Sequence, residues 1–224
     1  MSGIAANVAR VRDRIAAAAV RAGRSPADVC LIAVSKTVGL DAVREAAAAG
    51  ARDFGENYVQ DARAKLAAPG LDVRWHFIGH LQTNKARYVA GAFALVHSVD
   101  SVRLAEELGR RAAMSGVVKD VLIEVSLDAA GAKTGVEPDG VAGLAESIAG
   151  APGLRLQGLM GMAPIVTEGE HARPHFAALR GMLDLLPAGS GRVLSMGMTG
   201  DFEAAIAEGA THVRVGTAIF GPRP

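Results

Sequence analysis

The chain has 224 residues, 50% of them hydrophobic, and its 24 Lys and Arg residues are balanced by 23 Asp and Glu residues. A chain of this length and apolar content is sufficient for one domain with a sizeable core. A net charge of +1 gives no overall field that would attract nucleic acid or an anionic membrane, so we expect a small bound partner instead.

The N-terminal segment is polar at short intervals. Residues 2–23 place apolar side chains at helical spacing, with Arg and Asp between them, and the pattern ends at Gly23. A signal peptide or membrane span has an uninterrupted apolar core, so we predict an amphipathic opening helix in a soluble, cytoplasmic protein. The one cysteine, Cys30, excludes an intrachain disulfide and a cysteine-based metal cluster.

Eight short apolar or β-branched runs follow, each a predicted strand. In chain order they are VCLIAVSK, ARDFGEN, VRWHFIGH, ALVHSVD, DVLIEVSL, LRLQGLMGM, RVLSMGM and HVRVGTAIF. Helical patterns separate them at residues 40–49, 58–67, 84–90, 102–115, 138–149, 170–186 and 202–208.

Regular alternation of strands and helices predicts a parallel sheet, and eight repeats with short connections favour a closed (β/α)8 TIM barrel with an extra N-terminal helix. A doubly wound open sheet is the alternative. It is disfavoured because no predicted strand is followed by a GxGxxG or GxxxxGK[ST] loop. No linker or charge block divides the chain, so one domain over residues 1–224 is expected.

Barrels place their sites at the C-terminal ends of the strands, and phosphate often lies at the loops after the seventh and eighth strands. Those loops read SMGMTGD and RVGTAIFG. Gly197 and Gly216 permit close approach of backbone N–H groups, Ser195 and Thr217 offer hydroxyl donors, and a helix starting near Thr217 would direct its positive end at an anion. Taken singly, either turn is explained as well by ordinary turn chemistry.

Lys36 ends the first predicted strand and shares side-chain parity with Ile32 and Val34, so it should point into the mouth of the barrel. Burial and nearby cations favour a neutral amine there, and a neutral amine attacks an aldehyde to form an imine. A lysine in isolation is more simply a solvated side chain beyond a strand end.

Arg214 lies two residues before Gly216 and therefore on the same face of the last strand. A buried guanidinium needs an acceptor, and the ring nitrogen of a bound pyridine is one. Because an arginine donates to that nitrogen without protonating it, the pattern predicts a weak electron sink. The alternative is an ion pair with Glu124 or Asp53.

Other candidates carry less weight. We interpret His76 as a core histidine. For His80, two positions are equally consistent with the sequence: in the lining of the site, or at the start of the helix that follows the strand. No metal site is expected, because no group of His, Asp or Glu has the spacing of a motif such as HExxH.

Long motifs spread over the whole chain resemble one family. AVSKT, DFGENYVQ, WHFIGHLQTNK, KTG, GLMGMAP, LSMGMTGDFEAAI and VRVGTAIFG resemble, in order and spacing, the YggS/PROSC family of pyridoxal phosphate homeostasis proteins. The resemblance implies a barrel similar to the N-terminal domain of alanine racemase, with pyridoxal 5′-phosphate (PLP) as cofactor.

The resemblance also implies roles for individual residues. Lys36 matches the lysine that holds PLP as a Schiff base, Asn57 a residue that lines the cofactor, and Arg214 the arginine that faces the pyridine nitrogen. The positions that match the phosphate cradle are Ser195, Gly197, Gly216 and Thr217.

The family resemblance implies intracellular PLP (vitamin B6) homeostasis without an established catalytic activity, with apo-PLP enzymes as possible recipients. A small PLP-dependent enzyme such as an amino-acid racemase is the alternative. It is disfavoured because racemisation needs a base on each face of the substrate, and racemases take one from a second domain that is not expected here. A barrel that binds another phosphorylated metabolite is the third hypothesis. A monomer is expected, since a closed sheet needs no partner.

Overall fold

A computed structural model describes residues 3–127, 134–164 and 169–222. The strands in these ranges are β1 (Cys30–Val34), β2 (Asp53–Glu56), β3 (Arg74–Phe77), β4 (Leu95–Val99), β5 (Lys119–Val125), β6 (Leu154–Gly161), β7 (Val193–Ser195) and β8 (His212–Val215). The α-helices are α1 (Ile4–Arg21), α2 (Leu40–Ala48), α3 (Val59–Leu66), α4 (Ala86–Val89), α5 (Val102–Met114), α6 (Val141–Ala149), α7 (Arg173–Gly181), α8 (Phe202–Ala207) and α9 (Thr217–Phe220).

The eight strands form one closed parallel barrel in sequential order, with β8 hydrogen-bonded to β1. In the register around β1, Ile32 is paired with Asp53 on β2 and with Arg214 on β8. The predicted (β/α)8 barrel is therefore confirmed, and the doubly wound alternative is excluded because an open sheet has two unpaired edges.

The main hydrophobic core lies between the barrel and its surrounding helices. Outward-facing strand residues such as Phe54 and Phe77 contribute to it, and both are almost fully buried. The extra helix α1 adds Val8, Val11 and Ile15 to this core and contacts α8 and α9, so the N-terminal helix joins the two ends of the chain.

Three predicted helices are shorter than the sequence pattern suggests. The pattern at residues 138–149 becomes a 3-10 turn (Pro138–Gly140) followed by α6. The pattern at residues 84–90 becomes a 3-10 turn (Thr83–Lys85) followed by α4. The pattern at residues 170–186 becomes α7 between two 3-10 turns, Gly169–Ala172 and Met182–Leu185. Gly181 lies where α7 ends, as expected from the low helix propensity of glycine.

Within the described ranges, no helix has the length and apolar character needed to cross a membrane. Lys133 of the KTG motif lies outside the described residues.

Candidate functional site

A cavity of about 420 Å³ opens at the C-terminal ends of the strands. Its volume is within the usual range for small-molecule sites. Five of the seven residues predicted to form the site line it: Lys36, Asn57, Arg214, Gly216 and Thr217. The structure thus brings together side chains that are up to 181 positions apart in the sequence (217 − 36).

Lys36 lies on a tight turn that follows β1. The backbone N–H of Val38 donates to the carbonyl oxygen of Ser35 (3.0 Å), which makes Lys36 and Thr37 the two central residues of the turn. Thr37 has a φ of 63°, a left-handed conformation that a β-branched residue rarely adopts and that costs about 1–3 kcal/mol. Such strain next to a lysine that lines a cavity indicates a functional constraint on the turn.

Ser35 is held in place by four hydrogen bonds. Its N–H donates to the carbonyl oxygen of Gly55, and its hydroxyl donates to Glu56 Oε1 (2.6 Å). Its carbonyl oxygen accepts from Lys65 Nζ (2.7 Å) as well as from Val38. Lys65 and Glu56 form a buried ion pair of 2.6 Å behind the turn. Ser35, which precedes Lys36, is therefore held by contacts with β2, with α3 and within the turn itself.

Asn57 follows β2 and carries an unpartnered acceptor. Within the described residues its buried side-chain Oδ1 has no hydrogen-bond partner. The segment after β3 approaches closely here, since a Cβ atom on Gly79 would lie only 2.3 Å from the carbonyl oxygen of Asn57. A buried amide without a partner beside Lys36 suits a ligand that donates a hydrogen bond.

Arg214 lies on β8 with its guanidinium group in the barrel interior. Nη1 donates to Ser195 Oγ (2.7 Å), and Nη2 donates to the carbonyl oxygen of Gly161 (3.1 Å). Burial lowers the pKa of Arg214 to about 10, against the opposing influence of the charges on Glu124 and Asp201. The guanidinium group is therefore positively charged at neutral pH.

Neither carboxylate considered as a partner of Arg214 forms an ion pair with it. Asp53 accepts hydrogen bonds from Arg74 and His76 instead, while Thr134 donates to Glu124 (2.7 Å). In the part of the chain that the structure describes, Arg214 thus binds neutral acceptors only.

Ser195 and Gly197 do not line the cavity. The Ser195 hydroxyl is fully buried behind Arg214 and also lies 2.9 Å from His97 Nδ1. Gly197 has a φ of 89° and lies against α8, since a Cβ atom there would lie 2.6 Å from that of Ala205. In the structure, Gly197 allows the segment after β7 to pack closely against α8.

The loop after β7 lines the cavity with residues that the sequence reading missed: Met198, Thr199 and Gly200. Asp201 shapes this loop because its Oδ1 accepts from the backbone N–H of Met198 (2.6 Å). The MTGD sequence was the available signal, since Gly and Asp are typical turn residues. Met162, after β6, also lines the cavity and is partly exposed.

The remaining candidates lie elsewhere. His76 is buried inside the barrel, in agreement with its interpretation as a core residue. His80 is about half exposed and lies 3.5 Å from Asp100, and Tyr58 is exposed. Neither His80 nor Tyr58 lines the cavity.

A larger cavity of about 950 Å³ opens at the opposite, N-terminal end of the barrel. It is lined by Cys30, Asp53, Arg74, His76 and His212 among others. The smaller cavity is the better candidate site because it contains Lys36 and lies at the end of the barrel where such folds bind ligands.

Comparisons with known proteins agree with this geometry. The profile of the family described as alanine racemase, N-terminal domain, matches residues 4–224. The pyridoxal phosphate homeostasis protein of Pseudomonas aeruginosa is 47% identical over 224 residues, covering 100% of this chain and 97% of that protein. The protein of the same name from Escherichia coli (strain K12) is 44% identical over 233 residues, covering 100% and 98%.

A solved structure adds a bound ligand to the comparison. The crystal structure of PipY from Synechococcus elongatus with PLP bound superposes with a TM-score of 0.81 at 38% identity. The match covers 94% of this chain and 100% of PipY.

Proposed function

Because the chain belongs to the pyridoxal phosphate homeostasis proteins of the alanine racemase N-terminal domain family, we propose that it binds PLP and takes part in intracellular PLP homeostasis. The observation that supports this most strongly is the convergence of Lys36, Asn57 and Arg214 on one cavity. The proposal includes a single domain over residues 1–224, a monomeric state and a cytoplasmic location.

Each wall of the cavity suits one part of the cofactor. PLP supplies an aldehyde, which a neutral lysine amine holds as a reversible Schiff base. Lys36 is the residue for this role because it lines the cavity on a constrained turn. Asn57 presents an acceptor without a partner to the same space.

Arg214 would face the pyridine nitrogen as a permanent donor. Its hydrogen bonds to Ser195 and Gly161 use two N–H groups of the guanidinium, which carries five. Donation from a charged guanidinium leaves the ring nitrogen unprotonated and so keeps the cofactor a weak electron sink.

The phosphate would lie between the loops that follow β7 and β8. Gly216 and Thr217 line the cavity there, together with Thr199 and Gly200 opposite. The first N–H groups of a helix have no partner within it, and α9 begins at Thr217. Ser195 and Gly197 would contribute indirectly, through Arg214 and through the packing of the β7 loop.

The residues that line the cavity favour a carrier of PLP over a racemase. Of the described residues that do so, Lys36 alone has a side chain that commonly transfers protons, since His, Tyr, Cys, Asp and Glu are missing from that lining. Racemisation requires a base on each face of the substrate carbon. We therefore propose that the protein buffers PLP or delivers it to apo-enzymes.

The visible absorption spectrum tests PLP binding. After incubation with PLP, the wild-type protein should show a Schiff-base band, and borohydride reduction followed by mass mapping should place the adduct on Lys36. Lys36→Ala should lack the band, whereas Lys85→Ala, which removes a lysine that does not line the cavity, should keep it. Absence of the band from the wild type would exclude the Schiff base.

A transfer assay separates the carrier from the enzyme. The loaded protein should activate an apo-PLP enzyme faster than free PLP at the same concentration does. Chiral chromatography of alanine and other amino acids should detect no racemisation. Turnover of any amino acid would favour the racemase alternative.

A further inference from the structure

Five buried side chains form a continuous line of hydrogen bonds through the barrel, from Arg214 to the N-terminal cavity. Arg214 Nη1 donates to Ser195 Oγ (2.7 Å), which lies 2.9 Å from His97 Nδ1. His97 Nε2 lies 3.0 Å from His76 Nδ1, and His76 Nε2 lies 2.9 Å from Asp53 Oδ1. All five residues are 5% exposed or less. We call this line the Asp53–Arg214 chain.

The two ends of the Asp53–Arg214 chain determine where its protons lie. A guanidinium only donates and a carboxylate only accepts. Ser195 accepts from Arg214, and His97 Nδ1 is the acceptor within reach of its own proton. With that donation made, His97 donates from Nε2 to His76, and His76 donates from Nε2 to Asp53. In this arrangement every donor has an acceptor, and both histidine rings are protonated at Nε2 alone.

The surroundings keep His97 uncharged and Asp53 charged. Burial and the neighbouring His76, His212 and Arg214 lower the pKa of His97 well below its usual value. Burial alone would raise the pKa of Asp53, but hydrogen bonds from His76 and Arg74 outweigh it and lower that pKa. Asp53 is therefore a charged acceptor at neutral pH.

Two groups that face the chain from other strands are uncharged at neutral pH. Burial and Asp53 raise the pKa of the Cys30 thiol on β1 to about 12, so it stays protonated. Burial lowers the pKa of His212 on β8 to about 4. Glu124 on β5 and Asp201 after β7 are the carboxylates that influence Arg214, and Arg74 on β3 covers Asp53 at the cavity end.

We propose that Ser195, His97 and His76 are positioning residues, which hold Arg214 in its orientation toward the pyridine nitrogen through a one-way chain of hydrogen bonds anchored at Asp53. The inference rests on the proposed function. A charged His97, with a proton on Nδ1 as well, would reverse the donation between His97 and Ser195. Ser195 would then accept from both Arg214 and His97, and its own hydroxyl proton would have no acceptor in the chain.

The affinity for PLP should therefore depend on side chains that do not line the cavity, since His76, His97 and Ser195 are all absent from its lining.

The first test needs no cofactor and no variant. Nitrogen-15 NMR of the histidine rings in the cofactor-free wild-type protein at about pH 7.5 should find His97 neutral and protonated at Nε2. A His97 ring that is charged, or protonated at Nδ1, would overturn the one-way chain whatever the outcome with PLP.

The second test measures the dissociation constant of PLP for matched serine variants. Ser195→Ala should raise it about tenfold, because Arg214 loses a charge-assisted hydrogen bond that fixes its orientation. Ser98→Ala is the control, since the Ser98 hydroxyl is equally buried and has no partner among the described residues. Its constant should stay within about twofold of the wild type.

The pH dependence tests whether the chain stays in its neutral form. PLP titrates by itself, so the quantity to follow is the ratio of the dissociation constants of Ser195→Ala and wild type. That ratio should stay constant from about pH 7.5 to about pH 6, because burial keeps the pKa of His97 well below its ordinary value. A ratio that moves toward one in this range would overturn the neutral chain.

The outcomes distinguish the two proposals. Equal affinity of Ser195→Ala and wild type for PLP, with Lys36→Ala unable to bind, would overturn the Asp53–Arg214 chain and leave the proposed function intact. A wild-type protein that binds no PLP would overturn both. Circular dichroism and thermal unfolding of each variant verify that it is folded.

Discussion

Two groups of side chains fill the interior of the barrel, and they differ in kind. Leu95, Leu122 and Met160, from β4, β5 and β6, form a small apolar cluster in which each residue is at most 7% exposed. The Asp53–Arg214 chain takes its members from β2, β3, β4, β7 and β8 and is entirely polar. Branched apolar residues are the usual filling of such barrels.

The comparison teaches that the two groups stabilise the barrel under different conditions. Apolar burial depends on area and packing, and it is insensitive to pH. A buried polar group is costly unless every partner is in place, so the polar chain stabilises the fold only while all its links are made. The free-energy cost of burying these polar groups has a functional explanation if the chain holds Arg214 in its orientation at the site.

The largest effect is expected in the apolar cluster. Leu122→Ala should reduce the free energy of unfolding by about 2–5 kcal/mol, because it leaves a cavity in a fully buried position. Urea unfolding should give the same loss at about pH 5 and about pH 7.5. Leu185→Ala, at a residue that is 49% exposed, is the matched control and should have little effect. A loss that varied with pH would contradict the contrast between the two groups.

The interior around the Asp53–Arg214 chain should lose stability in acid because of His212, which is not a member of the chain but lies beside its two histidines. In the folded protein the pKa of His212 is about 4, against 6.5 as its ordinary value, so the unfolded state binds more protons between these two values. Stability should therefore be full above about pH 6.5 and fall as the pH decreases, with His212 alone costing roughly 3 kcal/mol at pH 4.

His212→Gln isolates this contribution. The variant should unfold with a shallower dependence on pH than the wild type in urea titrations between about pH 6.5 and about pH 4. His171→Gln, at an exposed residue, should leave the dependence unchanged. An unchanged slope in His212→Gln would mean that His212 is not held neutral by the fold.

The contrast also explains which features could be predicted from the sequence. The eight strands were recognisable because each apolar run is local and ends at a polar residue or glycine. Strand parity placed Lys36 and Arg214 inside the barrel mouth, since alternation of side chains holds for any strand. These are properties that a few neighbouring residues determine.

The Asp53–Arg214 chain could not be predicted in the same way. His76 and His97 are 21 residues apart, and His97 and Ser195 are 98 apart. Their contacts depend on the register of β3, β4 and β7 around a closed barrel, to which no local pattern points. Ser195 was predicted to donate to the phosphate because it lies near a strand end. That position does not reveal that its hydroxyl is hydrogen-bonded to Arg214 and His97.

The smallest effects compare two buried serines that differ only in their partners. Ser195→Ala should reduce the free energy of unfolding by about 1–3 kcal/mol, since it leaves Arg214 Nη1 and His97 Nδ1 buried without a partner. Ser98→Ala removes a hydroxyl that has no partner among the described residues, so the change should be within about 0.5 kcal/mol. Urea unfolding at neutral pH measures both. Equal losses would show that the chain contributes nothing beyond the volume of its side chains, whereas unequal losses would show that, at these two serines, stability depends on completing the hydrogen bonds.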